Sequence, residues 1–195
     1  MIITIGRQCG CNGDYIGRKI AEKYNIPFYD KKEILNMAKK SGLVEKYPDF
    51  YDEEPMDALM YTISLAEEDR VPLNTPKSAL ADLIGDRDCV VLGRCGNVAF
   101  SERKDKISIF LTGDKEYRIK NIQKKHGFSE REAERLVEET DKRRMEYQKY
   151  YTQKQWGAAS EYDICMNVTK LHIGEILSVT DIYAQKIQES KGINE

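Results

Sequence analysis

The first 24 residues restrict the fold of this chain more than any other segment does. The β-branched run Ile2–Ile5 predicts a short buried strand. Residues 6–13 contain three glycines and predict a loop. Apolar side chains then recur every four residues up to Tyr24, which predicts a helix over residues 14–24. The chain therefore opens as a strand joined to a helix by a glycine-containing loop.

The rest of the sequence repeats this alternation of strands and helices. An extended segment is predicted over residues 26–29, and strands are predicted at Cys89–Leu92, Ile107–Leu111 and Tyr162–Asn167. Helices are predicted over residues 31–40, 55–68, 78–84, 114–125, 129–150 and 173–188. Strands that alternate with helices imply a parallel sheet covered by helices on both faces.

The helix predicted over residues 129–150 is unusual in its polarity. Ser129 and Glu132 have the spacing of a capping box, which fixes where the helix begins. Beyond that point only a few apolar side chains interrupt a charged sequence. A long helix with so few core residues either projects from the body or covers a cleft.

Length and charge restrict the classes of function. The 195 residues predict one domain spanning residues 1–195. With 31 Lys and Arg against 33 Asp and Glu, the net charge of −2 argues against a nucleic-acid polymer as partner. No apolar run approaches the roughly 20 residues that a membrane helix needs. The first residues also show no signal-peptide pattern, so we expect a cytoplasmic location. The odd number of cysteines, five, predicts free thiols, and a homo-oligomer is possible.

The glycine loop is a candidate phosphate site. Gly10 and Gly13 allow close approach of the backbone, and the following helix begins with N–H groups that can bind phosphate oxygens. The loop nevertheless lacks the lysine and the Ser/Thr of the GxxxxGK[ST] pattern. An ordinary tight turn therefore stays open as the alternative.

Arginines form the second group of candidates. Arg94 follows a predicted buried strand, where its guanidinium could bind a phosphate or carboxylate through two hydrogen bonds, the alternative being an arginine on a surface loop. The segment Asp141–Arg144 on the polar helix, with Arg118 on the preceding helix, could close over a transferring phosphoryl group. The alternative for this segment is a solvated charged face.

Taken in order along the chain, these segments resemble the cytidylate kinase family of nucleoside monophosphate kinases, and most of all its bacterial cytidylate-kinase-like branch. The resemblance rests on Ile3–Arg7 with Gly10 and Gly13, residues 21–30, Cys89–Arg94, Ile107–Thr112, Glu116–Arg118, Thr140–Arg144, Lys149–Tyr151, Trp156-Gly157 and Tyr162-Asp163. It implies a three-layer P-loop kinase-like α/β fold, with an acceptor-side excursion at about residues 31–85 and a helical lid at about residues 114–158.

The resemblance also implies a reaction and roles in it. We expect ATP-dependent phosphoryl transfer to a nucleoside monophosphate, CMP or dCMP, with Mg²⁺ as cofactor. Asp30 and Arg94 match residues of the acceptor pocket. The expected catalytic residues are Arg144, Arg143, Arg118 and Asp141. The expected ATP-binding residues are Arg7, Gly10, Cys11, Asn12, Gly13, Asp14 and Tyr15.

The chain departs from the family pattern at the phosphate loop and beside Arg94. The loop lysine is replaced by Gly13, and the hydroxyl positions are Asp14 and Tyr15. Arg7 and Arg18 are the nearest cations that could replace the lysine, and Asp14 could hold Mg²⁺ through water.

Cys95 stands where the family has an aspartate that helps to read cytosine. These departures leave two alternatives open. The chain could be a catalytically degenerate module that binds a nucleotide or phosphate without turnover, or a kinase for another small phosphoacceptor.

Overall fold

A computed structural model describes residues 1–47, 50, 51 and 74–192 of the chain. Within these residues the strands are β1 (Ile2–Arg7), β2 (Phe28–Tyr29), β3 (Cys89–Leu92), β4 (Lys106–Thr112) and β5 (Ile164–Asn167). All of them are parallel, and they lie side by side in the order β2-β3-β1-β4-β5. The predicted parallel sheet is confirmed, and β1 runs two residues beyond its predicted end.

The described helices are α1 (Gly13–Tyr24), α2 (Lys31–Lys40), α3 (Leu43–Lys46), α4 (Thr75–Ile84), α5 (Gly96–Ala99), α6 (Lys115–His126), α7 (Glu130–Thr152) and α8 (Ile173–Gly192). The helix predicted over residues 55–68 lies outside the described residues. Two helices, α3 and α5, were not predicted, because four residues are too few to show a helical period.

Helices cover both faces of the sheet, as predicted. Alternate residues of a strand point to opposite faces. On one face Ile3 and Ile5 of β1 pack in a core that includes α1 and α8. On the other face Ile2 packs in a core with α2, α4 and Tyr151 of α7. The order β2-β3-β1-β4-β5 places β1 at the centre, so the loop after β1 lies in the middle of the sheet's carboxyl edge.

The polar helix α7 covers a cleft and does not project from the body. Its capping box is present, with Ser129 and Glu132 bonded reciprocally. Its amino-terminal half packs Ala133 and Val137 against α6, and its carboxyl-terminal half buries Tyr151 in the core beneath the sheet. Both ends are thus anchored, and the charged middle of the helix spans the carboxyl edge of β1.

Within the described residues, no helix combines the length and the apolar character that crossing a bilayer requires.

Candidate active site

The loop between β1 and α1 has a backbone that only particular residues can adopt. Gly10 has φ of 85°, and Asn12, which precedes α1, has φ of 53°. A Cβ atom on Gly10 would lie 2.7 Å from the Arg118 Cα atom and closer still to the Arg118 carbonyl oxygen. Gly10 therefore lets α6 pack directly on the loop.

Replacing Gly10 with alanine should disrupt this packing. The Gly10→Ala change adds a clash with backbone to an unfavourable φ, so we expect a loss of about 2–5 kcal/mol in the free energy of unfolding. Gly127→Ala is the matched control, because Gly127 has φ of 70° and no atom within 4 Å of the added Cβ. Its expected cost is about 1 kcal/mol. Urea unfolding of both variants tests the difference, and equal losses would contradict it.

The loop is held by hydrogen bonds from α6 and α7. Arg118 Nη1 donates to the Cys9 carbonyl oxygen at 3.3 Å, and Asn121 Nδ2 donates to that of Gly10 at 2.8 Å. The Cys9 N–H donates to Asp141 Oδ1 at 2.6 Å. With these carbonyl oxygens bonded to α6, the start of α1 faces the opposite side of the loop. The partial positive charge at the amino terminus of α1 therefore faces that side of the loop.

An ion pair between a buried arginine and a partly buried aspartate joins the two helices behind the loop. Arg118, only 8% exposed, places Nη1 2.6 Å from Asp141 Oδ2 and donates from Nε to the Gly113 carbonyl oxygen at 3.0 Å. Arg144 Nη1 lies 3.9 Å from the second carboxylate oxygen of Asp141 and donates to the Arg7 carbonyl oxygen at 2.9 Å. The structure thus brings together three of the four predicted catalytic residues.

Two cavities open at the carboxyl edge of β1. The first, of about 310 Å³, lies between the ends of β1 and β3 and the helix α7. The second, of about 530 Å³, lies over residues 7–14 and is bordered by α2 and α6. Both are lined by Arg7, Lys31 and Arg144. Two adjoining cavities with three shared cations can hold two anionic ligands with their charged ends together.

The second cavity contains most of the predicted ATP-binding residues. Arg7, Gly10, Asn12, Gly13 and Asp14 line it. Tyr15 is exposed at the first turn of α1, and Cys11 is fully buried under the loop. Those two side chains therefore lie beside the cavity and do not border it.

Asp14 is bonded to a lysine that sequence analysis missed. Its Oδ2 atom lies 3.1 Å from Lys125 Nζ at the end of α6. Partial burial opposes ionisation, but the Lys125 ammonium and the N–H groups of Asp14 and Tyr15 together lower the pKa of this carboxyl. A carboxylate that stays ionised at the start of α1 suits Mg²⁺, which takes one or two carboxylates together with substrate phosphates. The described residues contain no preformed group of three or more metal-binding side chains.

Arg94 is held inside the protein and lines the first cavity. It is 3% exposed, so the alternative of a surface-loop arginine is wrong. Its Nη2 atom donates to the Tyr51 carbonyl oxygen at 2.8 Å, and Nη1 donates to that of Phe50. Tyr147 Oη lies 3.5 Å from Nη1. The guanidinium is therefore oriented by the backbone of residues 50 and 51.

The two predicted acceptor residues do not share a cavity. Asp30 lines the second cavity, where its Oδ1 atom accepts from the Glu33 N–H at 3.0 Å and caps α2. Its Oδ2 atom accepts from Arg18 Nη2 at 3.1 Å. Arg18 also stacks over Phe28 at 4.7 Å and lines neither cavity. Of the two cations predicted to replace the loop lysine, the structure places only Arg7 in the site.

Lys31 is the cation that sequence analysis overlooked. It is the first residue of α2, directly after the Asp30 cap, and it borders both cavities. The signal was present in the sequence, since Asp30 and Glu33 have the spacing of a helix start. Arg143, by contrast, is exposed on α7, with Nη2 3.4 Å from Thr140 Oγ1. It lines the first cavity but not the second.

A comparison of the sequence with protein families decides the relationship. The model of the cytidylate kinase-like family matches residues 2–170. The chain belongs to the cytidylate kinase-like family. None of the curated proteins matches this cytidylate kinase-like chain significantly.

Solved structures agree with this family fold. An uncharacterized protein from Eubacterium ventriosum ATCC 27560 is 26% identical, with a TM-score of 0.71 over 95% of this chain and 98% of the other. A gluconokinase from Sinorhizobium meliloti 1021 is 14% identical, with a TM-score of 0.56 over 99% of this chain and 96% of the other. The cytidylate kinase-like protein thus has the predicted P-loop kinase-like fold.

The thiols of this cytidylate kinase-like protein should differ widely in reactivity. Burial raises the pKa of Cys11 to about 12; it also raises the pKa of Cys165, but that side chain is exposed on β5 and accessible to reagent. Since the thiolate is the reactive form, we expect iodoacetamide at pH 8 to label Cys165 in the native protein and to leave Cys11 unlabelled. Mass spectrometry of tryptic peptides gives the readout. In Cys165→Ser the rapid labelling should disappear, and fast labelling of Cys11 would contradict the buried position.

Proposed function

We propose that this protein transfers the γ-phosphoryl group of ATP to a nucleoside monophosphate, and that the acceptor is CMP or dCMP. The observation that supports this most directly is the pair of cavities that meet at Arg7, Lys31 and Arg144. Phosphoryl transfer needs a donor and an acceptor whose phosphates are adjacent and surrounded by positive charge. Family membership supports the same reaction class.

In this proposal ATP lies in the second cavity. The N–H groups of the loop ahead of Asp14 bind its phosphates, since those of Asp14 and Tyr15 bond the Asp14 carboxylate, and Gly10 and Gly13 leave room for close approach. Asp14 holds Mg²⁺ through water, in the place of the family's hydroxyl. When bound, Mg²⁺ neutralises charge on the phosphate oxygens.

Three cations replace the missing loop lysine. Arg7 lies at the end of β1, Lys31 at the start of α2 and Arg144 on α7, so they approach the cavity junction from three elements. Positive charge fixed in place stabilises the charge that spreads over the transferred group. No covalent intermediate is required, and catalysis comes from positioning and electrostatics.

The acceptor lies in the first cavity, with its phosphate toward Arg144 and its base toward Cys95 and α5. Specificity for cytosine is the part of the proposal that rests on family resemblance. The five free cysteines accord with a cytosolic site of action.

The test is turnover of a panel of acceptors. Purified protein is incubated with ATP, Mg²⁺ and one of CMP, dCMP, UMP, AMP or GMP, and each diphosphate product is separated by anion exchange. We expect CDP or dCDP to form well above the rate of ATP hydrolysis. Gluconate and other small polyol acids serve as non-nucleotide acceptors. The absence of any diphosphate would refute the proposal.

A nucleotide-binding module without turnover is the second candidate. It is favoured by Gly13, which supplies no ammonium, and by the Asp14 carboxylate, which stands where a phosphate-loop hydroxyl would be. Calorimetry would distinguish it, since it requires ATP binding in a protein that forms no product. Turnover of a polyol acid in the same panel would instead support a kinase for another small phosphoacceptor.

A further inference from the structure

Away from the shared cations, the lining of the first cavity includes three uncharged polar side chains. Along β1, Thr4 lies about 10 Å inside the position of Arg7, at roughly 3.3 Å per residue. Along α7, Gln148 lies one helical turn beyond Arg144, about 6 Å along the axis. Asn97 of α5 is the third member. We call Thr4, Asn97 and Gln148 the amide wall.

The amide wall joins the two elements through side-chain amides. Asn97 Nδ2 donates to the Glu161 carbonyl oxygen at 3.2 Å, and Gln148 Nε2 lies 3.5 Å from Asn97 Oδ1. The Gln148 backbone is fixed separately, because Thr152 Oγ1 donates to its carbonyl oxygen at 2.6 Å. The orientation of the Gln148 amide is thus set by Asn97.

Two polar atoms of the amide wall lack a hydrogen bond within the described part of the chain. One is Thr4 Oγ1, a buried atom in a side chain that is 2% exposed. The other is Gln148 Oε1, which is not fully enclosed although its side chain is only 4% exposed. Buried polar atoms in native proteins almost always have a partner. Because both residues line the cavity, a molecule inside it is the group placed to supply the missing bonds.

Aromatic rings border the same region. Tyr147 precedes Gln148 on α7 and lines this cavity, as do Trp156 and Tyr162. Trp156 is held edge-on to Phe110, with ring centroids 5.2 Å apart. Fixed aromatic walls beside unsatisfied polar atoms suit a planar ring that carries its own donors and acceptors.

We propose that the amide wall reads the acceptor's base, with Gln148 Oε1 accepting a hydrogen bond from an exocyclic amino group and Thr4 Oγ1 bonding to a neighbouring ring atom. This inference rests on the proposed function, and it names the specificity residues of its acceptor side. Cys95 has no carboxylate with which to recognise the base, and the Gln148 amide performs that recognition instead. The chemistry selects an amino-substituted base over its oxo counterpart.

The test compares CMP with UMP, which differ in this amino group, using wild type, Gln148→Leu and Thr4→Val. For wild type we expect kcat/KM at least tenfold higher with CMP. Gln148→Leu should raise the KM for CMP about tenfold with little change in kcat, and should remove the preference. Gln148→Glu should keep the preference, because a carboxylate also accepts from the amino group. Thr4→Val should raise the KM for both nucleotides.

Calorimetric titration with CMP in the absence of ATP separates failure of this inference from failure of the proposed function. If wild type binds CMP but forms no diphosphate, the kinase proposal fails, and weaker CMP binding by Gln148→Leu still supports the amide wall. If the variants change only the melting temperature while KM, affinity and preference stay as in wild type, the region is a water-filled structural cavity and this inference is overturned. Absence of both binding and turnover overturns it as well.

Discussion

Replacing Arg144 with alanine is expected to lower kcat for diphosphate formation by about 10³-fold. The guanidinium is anchored by its hydrogen bond to the Arg7 carbonyl oxygen and lies at the junction of both cavities. The guanidinium would therefore stabilise the negative charge on the transferred phosphoryl group more in the transition state than in the ground state. Because the loss falls on the transition state, we expect kcat to decrease much more than KM increases.

Two further variants make the Arg144 result specific. Arg144→Lys keeps the charge but loses the two-pronged donor, so its activity should lie between those of wild type and Arg144→Ala. Arg135→Ala is the matched control on α7, since that side chain is 74% exposed and pairs only at 3.9 Å with Glu139. It should behave as wild type. Retention of more than a third of wild-type kcat in Arg144→Ala would exclude Arg144 from the chemistry.

The sheet could be predicted from the sequence because its three central strands, β1, β3 and β4, are buried on both faces. Ile2–Ile5, Cys89–Leu92 and Ile107–Leu111 each form a short apolar run, which is what a central parallel strand requires. The edge strand β2 has only two residues, so the sequence could indicate no more than an extended segment there. The extension of β1 to Arg7 depends on pairing with Leu111 of β4, and such pairing has no local signal.

The candidate site was only partly predictable, since its contacts join distant segments. Arg118, Asp141 and Arg144 could be named because they match a family motif, but their packing behind the phosphate loop depends on how α6 and α7 cross. The same reason explains why Lys31 was missed and Arg18 was chosen. Arg18 is closer to the loop in sequence, yet its helix position directs it to Asp30 and Phe28. The amide wall brings together residues 4, 97 and 148, which no sequence spacing relates.

The ion pair between Arg118 and Asp141 should be the most sensitive structural element near the site. Replacing Arg118 with methionine leaves the partly buried Asp141 carboxylate with the Cys9 N–H as its nearest donor and with Arg144 Nη1 3.9 Å away. Breaking a fully buried pair in this way costs about 3–5 kcal/mol in the free energy of unfolding, and because Asp141 is only partly buried and keeps Arg144 nearby we expect a loss of about 2–3 kcal/mol here. ATP affinity should fall at the same time, since Arg118 also bonds to the Cys9 carbonyl oxygen and so shapes the loop.

A second variant separates loss of charge balance from loss of loop geometry. In Arg118→Met/Asp141→Leu no uncompensated charge is buried, so much of the stability lost in Arg118→Met should return. ATP affinity should not return, because the double variant lacks both the Arg118 bond to the Cys9 carbonyl oxygen and the bond from the Cys9 N–H to Asp141. The matched control is Lys115→Met, which removes the solvent-exposed ion pairs with Glu134 and Glu138 between the same two helices and should leave stability nearly unchanged. Urea unfolding and calorimetric titration with ATP give both readouts. If the double variant regains ATP affinity together with stability, Arg118 and Asp141 only hold α6 to α7, and their role as positioning residues for the phosphate loop is refuted.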